Sequence, residues 1–427
     1  MKWRNQLLAL FCLFLFGALG VFYFRHWVVQ KPFGIILFVG EGLTPQRLAA
    51  ARVYMGGADA KLAMDTMPRM ALLTNYSKDF AAPDQAAAAS ALATGEKVNN
   101  RALSVNPQNN SLTTLLEMAH ARGRATGILT NTQLTNATCA AFYTHRTDGN
   151  DQDEVAIDFA TKATLDVAMG GGIGHFLPQS KGGERSDQRD LLAELQHNGI
   201  EIVRTRAELE GVPAWRRAKV LGAFANGDMA FVDQLEARKD QPALSDMVRR
   251  GIELLQYNPR GYLLVVDVGL IAKAAQDNHA ERTLAATLQL DRAIATARRY
   301  AGPHATILVC GDVGIGGLSV NGSPFRKDSG IALLGLNSAG QPWMTWATGP
   351  NGLKTYGNPR KDTNTPPPAA EDQAETSPEF LEPAAVYSRN ALNTLEDVVA
   401  YGAGPGTDNL QGTLDNTAIF KLIRSQL

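Results

Sequence analysis

The chain has 427 residues, of which 45% are hydrophobic, and it carries 41 basic against 42 acidic side chains. A chain of this length buries a large core, so the composition indicates a globular protein. Its formal net charge of -1 provides no basic excess of the kind that binds nucleic acid, and we exclude a nucleic-acid partner on that ground.

The first predicted element is an apolar helix at the N-terminus. Residues 7–24 form an 18-residue apolar run with basic residues on both sides, which is just long enough to span a bilayer. Ala18-Leu19-Gly20 offers small residues for signal peptidase, but Arg25 directly after the run favours an uncleaved anchor. We predict that residues 1–31 are a membrane anchor with its flanks, and the alternative is a cleaved signal peptide.

Beyond the anchor, short runs rich in Ile, Leu and Val alternate with helical patterns. The predicted strands are 34–39, 126–130, 262–268 and 305–310, and the predicted helices are 189–197, 244–256 and 281–300. This alternation predicts a single α/β unit over residues 32–427, with a largely parallel sheet that is covered on both faces.

Residues 81–97, AAPDQAAAASALATGEK, predict a turn followed by a helix of small residues. Pro83 and Asp84 form the turn and the cap, and the run Ala86 to Ala93 has no bulk, so this helix can pack closely against a sheet. Its N-terminus presents free N–H groups and the positive end of the helix dipole, an arrangement that binds anions.

Pro, acidic and small polar residues dominate residues 356–386. Such a composition does not form a packed core, so we predict a mobile surface loop. An inert spacer is the default interpretation, and a cover for a cleft or a partner-binding segment is the alternative.

Several segments resemble, in the same order along the chain, the motifs of the alkaline phosphatase family. They include GIILFVGEGL at 34–43, the segment at 81–97, TGILTNTQLTNATCAAFYTH at 126–145, DVAMGGGIGHFLP at 166–178 and the C-terminal segment 393–423. The resemblance covers most of the chain from about residue 33. It implies a three-layer αβα sandwich with a large, mostly parallel central sheet.

Carried over residue by residue, the resemblance places Gln85 where the family has its serine nucleophile. A side-chain amide cannot be activated as an attacking group. Zinc prefers nitrogen and sulfur donors, and we do not expect zinc, because the positions of the family's zinc ligands are lost at Ala272, Gln276, Val313 and Asn393.

The third, magnesium-type site of the family keeps oxygen donors. The resemblance gives Glu41, Thr138 and Asp267, with Asn136 acting through a water molecule and Asp312 nearby. Mg²⁺ and Ca²⁺ prefer such hard oxygen ligands, so one of these ions is the expected cofactor. The alternative is that these acids only form hydrogen bonds with buried backbone groups.

Three further residue sets concern phosphate binding, cysteine pairing and a histidine. The family's phosphate-binding arginine falls at Gly149, with Arg146 close in sequence. Cys139 and Cys310 are placed near the same sheet edge, either as a disulfide or, as we expect, as two separate buried thiols. His145 lies inside a motif, but packing is a more common role for such a histidine than metal ligation.

We therefore predict an alkaline-phosphatase-like protein that is catalytically inactive and acts as an extracytoplasmic binding or scaffold protein. One alternative is an active hydrolase with a hard metal ion at Glu41, Asp267 and Asp312. Another is a binder of a phosphorylated or anionic ligand at the helix that begins at Gln85. The expected partners are the membrane, through residues 7–24, and either a second copy in a homodimer or an unknown protein. The expected location is a bacterial-type inner membrane, crossed once, with the main domain in the periplasm; a secreted or periplasmic protein would result from signal cleavage.

Overall fold

The structure is a computed structural model, and it describes residues 2–23, 33–322, 326–328, 330–353 and 376–427. Structural statements below refer to these residues. The N-terminal helix α1 (Lys2–Tyr23) is exposed at residues 3–22, and this segment, Trp3–Phe22, has a mean hydropathy of 2.0. It is long and apolar enough to cross a membrane, a property that signal sequences share. Phe24, the last residue of the predicted span, lies outside the described residues.

Within the described residues the chain forms sixteen strands. They are β1 (Gly34–Gly40), β2 (Arg69–Thr74), β3 (Ala125–Gln133), β4 (Val167–Gly171), β5 (Glu201–Val203), β6 (Val220–Ala223), β7 (Tyr262–Val268), β8 (Thr306–Gly311), β9 (Gly314–Ile315), β10 (Ser319–Val320), β11 (Met344–Gly349), β12 (Gly352–Leu353), β13 (Ala384–Tyr387), β14 (Asn393–Thr394), β15 (Val398–Ala403) and β16 (Gln411–Asp415).

Eleven α-helices follow α1. They are α2 (Pro45–Gly56), α3 (Gln85–Thr94), α4 (Leu115–Ala121), α5 (Ala137–Ala140), α6 (Gln152–Lys162), α7 (Leu191–His197), α8 (Arg206–Gly211), α9 (Leu244–Leu255), α10 (Leu270–Gln276), α11 (Ala280–Tyr300) and α12 (Thr417–Gln426). The four predicted strands correspond to β1, β3, β7 and β8, and the three predicted helices to α7, α9 and α11, so these sequence predictions are confirmed.

Ten strands form the central sheet, in the order β16-β2-β15-β8-β1-β7-β3-β4-β6-β5. The block from β8 to β5 is parallel, whereas β15 is antiparallel to both of its neighbours. Every residue of β1, β7 and β8 is buried, as expected for central parallel strands covered on both faces.

The side chains of β1 divide between two hydrophobic cores. Ile36 and Phe38 pack in the core that contains residues of α2, α9 and α11. Ile35, Leu37 and Val39 pack in the opposite core, with residues of α3, α4 and α12. Because successive residues of a strand point to opposite faces, this division places helices on both sides of the sheet, and the predicted mixed α/β fold with a mostly parallel sheet is confirmed.

A smaller sheet follows β8, with the strand order β10-β11-β13-β12. Its strand β13 corrects the predicted loop 356–386, since residues 384–386 pair with β11 as part of a strand. The physical reason is that AAVY has no Pro or acidic residue and contains two good strand formers, Val386 and Tyr387. Residues 354–375, the larger part of the predicted loop, lie outside the described residues.

Helix α3 begins where the sequence predicted. The Ala87 N–H donates to Asp84 Oδ1 at 2.8 Å, so Asp84 is the N-cap. All residues of α3 after Gln85 are buried, and the helix packs against α5 and α12. Close packing of small side chains therefore holds Gln85 at a fixed position beside the carboxyl ends of the central strands.

Candidate functional site

A cavity of about 140 Å³ lies at the carboxyl edge of the central sheet. Glu41 follows β1, Thr138 lies after β3, α10 follows β7, and Gln85 is the first residue of α3. The carboxyl ends of parallel strands are the usual place for a ligand in an open α/β sheet. The lining residues are Glu41, Gln85, Asn136, Ala137, Thr138, Ala272, Lys273 and Gln276.

Among the described residues, three buried oxygen atoms in and around this cavity have no hydrogen-bond partner of good geometry, although Thr138 and Asp267 lie close enough to Glu41 to lower its pKa. They are Thr138 Oγ1, Asp267 Oδ1 and Asp312 Oδ2. The other oxygen of Asp312 accepts the N–H groups of Gly42 at 2.9 Å and Val313 at 2.6 Å, and the other oxygen of Asp267 accepts the Thr130 hydroxyl at 2.7 Å. Buried polar atoms are rarely left without a partner, so these oxygens point to a missing donor or cation.

Glu41, Asp267 and Asp312 form a buried acidic cluster. Burial raises the pKa of all three carboxyl groups, and repulsion from Glu41 raises the pKa values of Asp267 and Asp312 further, well above their ordinary range. The Thr138 hydroxyl and the Lys273 ammonium act in the opposite direction on the pKa of Glu41. The cluster therefore favours neutral acids or a nearby positive charge.

Lys273 is a cavity-lining residue that the sequence analysis missed. Its side chain lines the cavity next to Glu41, and its other neighbour is Asp228, whose Oδ2 lies 3.8 Å from Lys273 Nζ. The distance of 3.8 Å, with both side chains about one-third exposed, makes the contact with Asp228 a weak ion pair. The sequence feature that could have identified Lys273 is its position one residue after Ala272, in the segment that forms α10.

Arg47 is a second missed cation. Its side chain is completely buried and donates hydrogen bonds to the carbonyl oxygens of Gly42 and, at 3.2 Å, Ile315. Burial lowers the pKa of Arg47 to about 10, while Glu396 and Asp312 oppose that effect. The guanidinium therefore stays charged at neutral pH and fixes the turn that carries Glu41. The sequence signal was its place on the buried face of α2, beside Leu48.

With this geometry established, comparison with known proteins decides the family. The family model described as alkaline phosphatase matches residues 34–427. The chain belongs to the alkaline phosphatase family. It is 28% identical over 433 residues to the tissue-nonspecific alkaline phosphatase of Gallus gallus, covering 88% of this chain and 81% of that protein. It is 24% identical over 429 residues to alkaline phosphatase 4 of Bacillus subtilis, covering 92% and 88%.

Solved alkaline phosphatase structures share the fold. The enzyme of the Antarctic bacterium TAB5 superposes with a TM-score of 0.70 at 19% identity, covering 93% of this chain and 98% of that one. The Thermus thermophilus enzyme gives 0.72 at 22% identity, covering 93% and 92%. A variant of the TAB5 enzyme was solved with Mg bound in its M3 site.

The positions that the resemblance assigned to zinc ligands lie in or near the cavity, but their side chains are unsuited to zinc. Ala272 and Gln276 line the cavity, and Val313 is buried beside Asp312. The Asn393 amide donates to the Pro83 carbonyl at 2.8 Å, next to the start of α3. Across the described ranges, no three His, Cys, Asp or Glu side chains are arranged so that they could hold a metal ion, and this applies to the cluster of Glu41, Asp267 and Asp312 as well as to the zinc positions. The residues present therefore do not fit zinc.

The structure does not place an arginine from the expected segment in the cavity. Arg146 forms ion pairs with Asp158 at 2.6 Å and Glu154 at 2.9 Å, and it is absent from the cavity lining. At Gly149 an added Cβ would lie 2.7 Å from the Leu103 side chain, so this position packs against the protein. Neither position supplies the phosphate-binding arginine.

Cys139 and Cys310 are both buried and free, in agreement with the expectation of two separate thiols. His145 is a half-buried packing residue. Its Nε2 lies 2.9 Å from Glu117 Oε1, and its Nδ1 lies 3.1 Å from the Ser104 carbonyl oxygen. Because both ring nitrogens face acceptors, the pKa of His145 is raised, chiefly by Glu117.

Proposed function

We propose that this protein is a catalytically inactive alkaline phosphatase homologue that acts outside the cytoplasm as a binding or scaffold protein. The observation that carries the proposal is Gln85, which begins α3 and lines the cavity, together with the resemblance that assigns the family's nucleophile to this position. An amide cannot form a phosphoenzyme. Ala272 and Gln276 beside it cannot hold the zinc that would activate an attacking group.

Mass spectrometry of the intact protein tests this proposal. After incubation with a phosphate ester and quenching in acid, the wild-type protein is expected to carry no covalent phosphate. A phosphate adduct that maps to any residue lining the cavity would contradict the proposal. Gln85→Ser is a useful companion variant, and it is expected to remain unmodified because the metal positions are still missing.

A single Mg²⁺ or Ca²⁺ ion remains part of the proposal. Glu41, Thr138 and Asp267 would hold it, with Asn136 acting through water and Asp312 close by. The oxygen donors are of the right type, and the partnerless oxygens of Thr138 and Asp267 support a hard cation. When bound, such an ion neutralises buried carboxylates. If it instead supported turnover, the protein would be a metal-dependent hydrolase, which is the main alternative.

Binding of a phosphorylated or anionic ligand is a second candidate function. Gln85 begins the ten-residue helix α3, and Lys273 and the partnerless Thr138 hydroxyl line the same cavity. Calorimetry with inorganic phosphate and with sulfate tests this candidate. Binding that is lost in Lys273→Met would support it, and no heat from either anion with the wild-type protein would contradict it.

The remaining elements of the proposal concern location and partners. We propose that α1 is an uncleaved anchor in a bacterial-type inner membrane, with the main domain in the periplasm, and that the protein acts as a homodimer or with an unknown protein. The length and hydropathy of α1 support the anchor. A mature N-terminus at Met1 in the membrane fraction is expected; a mature N-terminus at Val21 in a soluble fraction would show a cleaved signal peptide.

A further inference from the structure

The amino edge of the central sheet, opposite the cavity, is the place where the chain enters the domain. Phe33 is the first described residue after α1. Its N–H donates to the His304 carbonyl at 3.2 Å, and its own carbonyl accepts the Tyr262 N–H at 3.0 Å and the Arg124 guanidinium at 3.4 Å. The entry point is therefore surrounded by the loops that precede β3, β7 and β8.

Exposed arginines surround this entry point. Arg260 donates to the Arg122 carbonyl at 3.3 Å, and Arg424 lies on the last turn of α12, whose Gln426 carbonyl accepts Arg124 at 3.2 Å. Among the residues that the structure describes, Arg122, Arg260 and Arg424 form no ion pair.

Among the described residues, the carboxylates near this edge form no ion pair with Arg122, Arg260 or Arg424. Asp408 is paired with Arg69 at 2.6 Å, and Asp166, which accepts the Thr126 N–H at 2.9 Å, offsets one positive charge. Burial lowers the pKa of Arg124, and the positive charge of Arg122 lowers it further, as expected where basic groups crowd together. The entry point therefore carries an excess of positive charge.

Exposed aromatic residues lie in the same loops. Tyr257 is 45% exposed, three residues before Arg260, and Tyr300 is 39% exposed, four residues before His304. Trp215 is 70% exposed and precedes β6 at the same edge. Tyrosine and tryptophan next to basic residues are typical of surfaces at a membrane interface. We define the amino-edge surface as Arg122, Tyr257, Arg260, Tyr300, His304 and Arg424.

We propose that the amino-edge surface rests on anionic lipid headgroups of the membrane that holds α1, so that the cavity faces away from the bilayer. The inference rests on the proposed uncleaved anchor. Charge complementarity supports it, because basic residues next to a membrane are attracted to anionic lipids. The position of the entry point supports it as well, because the connection from α1 arrives in the middle of this surface.

The position of the connection favours this orientation. Ten residue steps separate Tyr23 from Phe33, and they span at most about 36 Å when fully extended. Glu41 lies eight steps beyond Phe33, at the other end of β1, about 26 Å away. The amino edge is therefore the sheet edge that lies nearer to the end of α1 along the chain. In the proposed orientation a ligand of the cavity arrives from the aqueous compartment.

Fluorescence quenching in vesicles tests the proposal with the full-length chain. Cys12 is replaced by Ser, and the buried Cys139 and Cys310 are left in place. A fluorophore is attached either at Ser425→Cys, on the amino edge, or at Leu395→Cys, which is 70% exposed and precedes β15 at the carboxyl edge of the sheet. Intact mass shows that α1 is retained, so a failure of the anchor is distinguished from a failure of the docking surface.

With nitroxide-labelled headgroups, the label at position 425 is expected to be quenched in vesicles containing phosphatidylglycerol. Quenching should fall at least several-fold in phosphatidylcholine alone, at high salt, and in the triple variant Arg122→Gln, Arg260→Gln, Arg424→Gln. A matched variant on other surfaces, Arg238→Gln, Lys239→Gln, Arg389→Gln, should keep the wild-type signal. Equal quenching at positions 425 and 395, or a triple variant that behaves like wild type, would overturn the proposal.

Discussion

Replacing Arg47 by Met is expected to lower the free energy of unfolding by about 3–5 kcal/mol. The guanidinium is completely buried, donates to the carbonyls of Gly42 and Ile315, and is the positive neighbour of Asp312. A hydrogen bond to a charged group contributes about 1.5–3 kcal/mol. Two such hydrogen bonds are lost, while Met keeps the apolar stem and removes the desolvation cost of the charge, so we expect a net loss of about 3–5 kcal/mol.

Thermal unfolding followed by circular dichroism measures this effect. For a body of roughly 390 residues the unfolding entropy is about 0.8 kcal/mol/K, so the Tm should fall by about 4–6 °C. Arg52→Met is the control, because Arg52 lies on the same helix and forms a partly exposed pair with Asp65; its expected loss is at most about 1 kcal/mol. If Arg47→Met had the same Tm as Arg52→Met, the assignment of Arg47 as a structural cation would be refuted.

Three further predictions concern the cavity and pH. Millimolar Mg²⁺ or Ca²⁺ should raise the Tm of the wild-type protein but not that of Glu41→Gln, because an ion that binds the folded state stabilises it. An unchanged wild-type Tm would favour carboxyl groups that only form hydrogen bonds. Lys273→Met should enlarge the Mg²⁺-induced rise in Tm, because Lys273 places a positive charge beside Glu41 and so competes with the ion. The control Lys327→Met, at an exposed lysine, should leave the rise unchanged. A smaller rise in Lys273→Met would contradict this competition. The pKa of His145 is raised in the folded state, so protonated His145 contributes fully to stability below about pH 6.5. This contribution is lost as the pH rises through the folded-state pKa. The Tm of His145→Gln should therefore be less dependent on pH over this window, and parallel Tm profiles would contradict the role of the Glu117 contact.

Much of the fold could be predicted from local patterns. The strands β1, β7 and β8 are continuous apolar runs, and the Asp84 cap with its alanine helix marks the start of α3. The cavity residues Glu41, Gln85 and Thr138 were identified through the resemblance to alkaline phosphatase motifs, and the structure brings them together at the carboxyl edge of the sheet.

The remaining features depend on contacts between distant parts of the chain. Arg47 is buried because its guanidinium meets Ile315, which is 268 residues away. Lys273 lines the cavity because α10 brings its side chain next to Glu41. The resemblance assigned a ligand position to the neighbouring Ala272 and none to Lys273. The strand β13 is only four residues long and follows a segment rich in Pro and acidic residues, so its local strand pattern did not stand out from the predicted loop, and it pairs with the distant β11.

Turnover of a chromogenic phosphate ester by the purified protein tests the central claim most directly. With Zn²⁺, Mg²⁺ or Ca²⁺ added separately, we predict a rate indistinguishable from the background without protein, and the same rate for Asp312→Ala. Metal-dependent turnover by the wild-type protein that is abolished in Asp312→Ala would contradict an inactive homologue and establish the metal-dependent hydrolase instead.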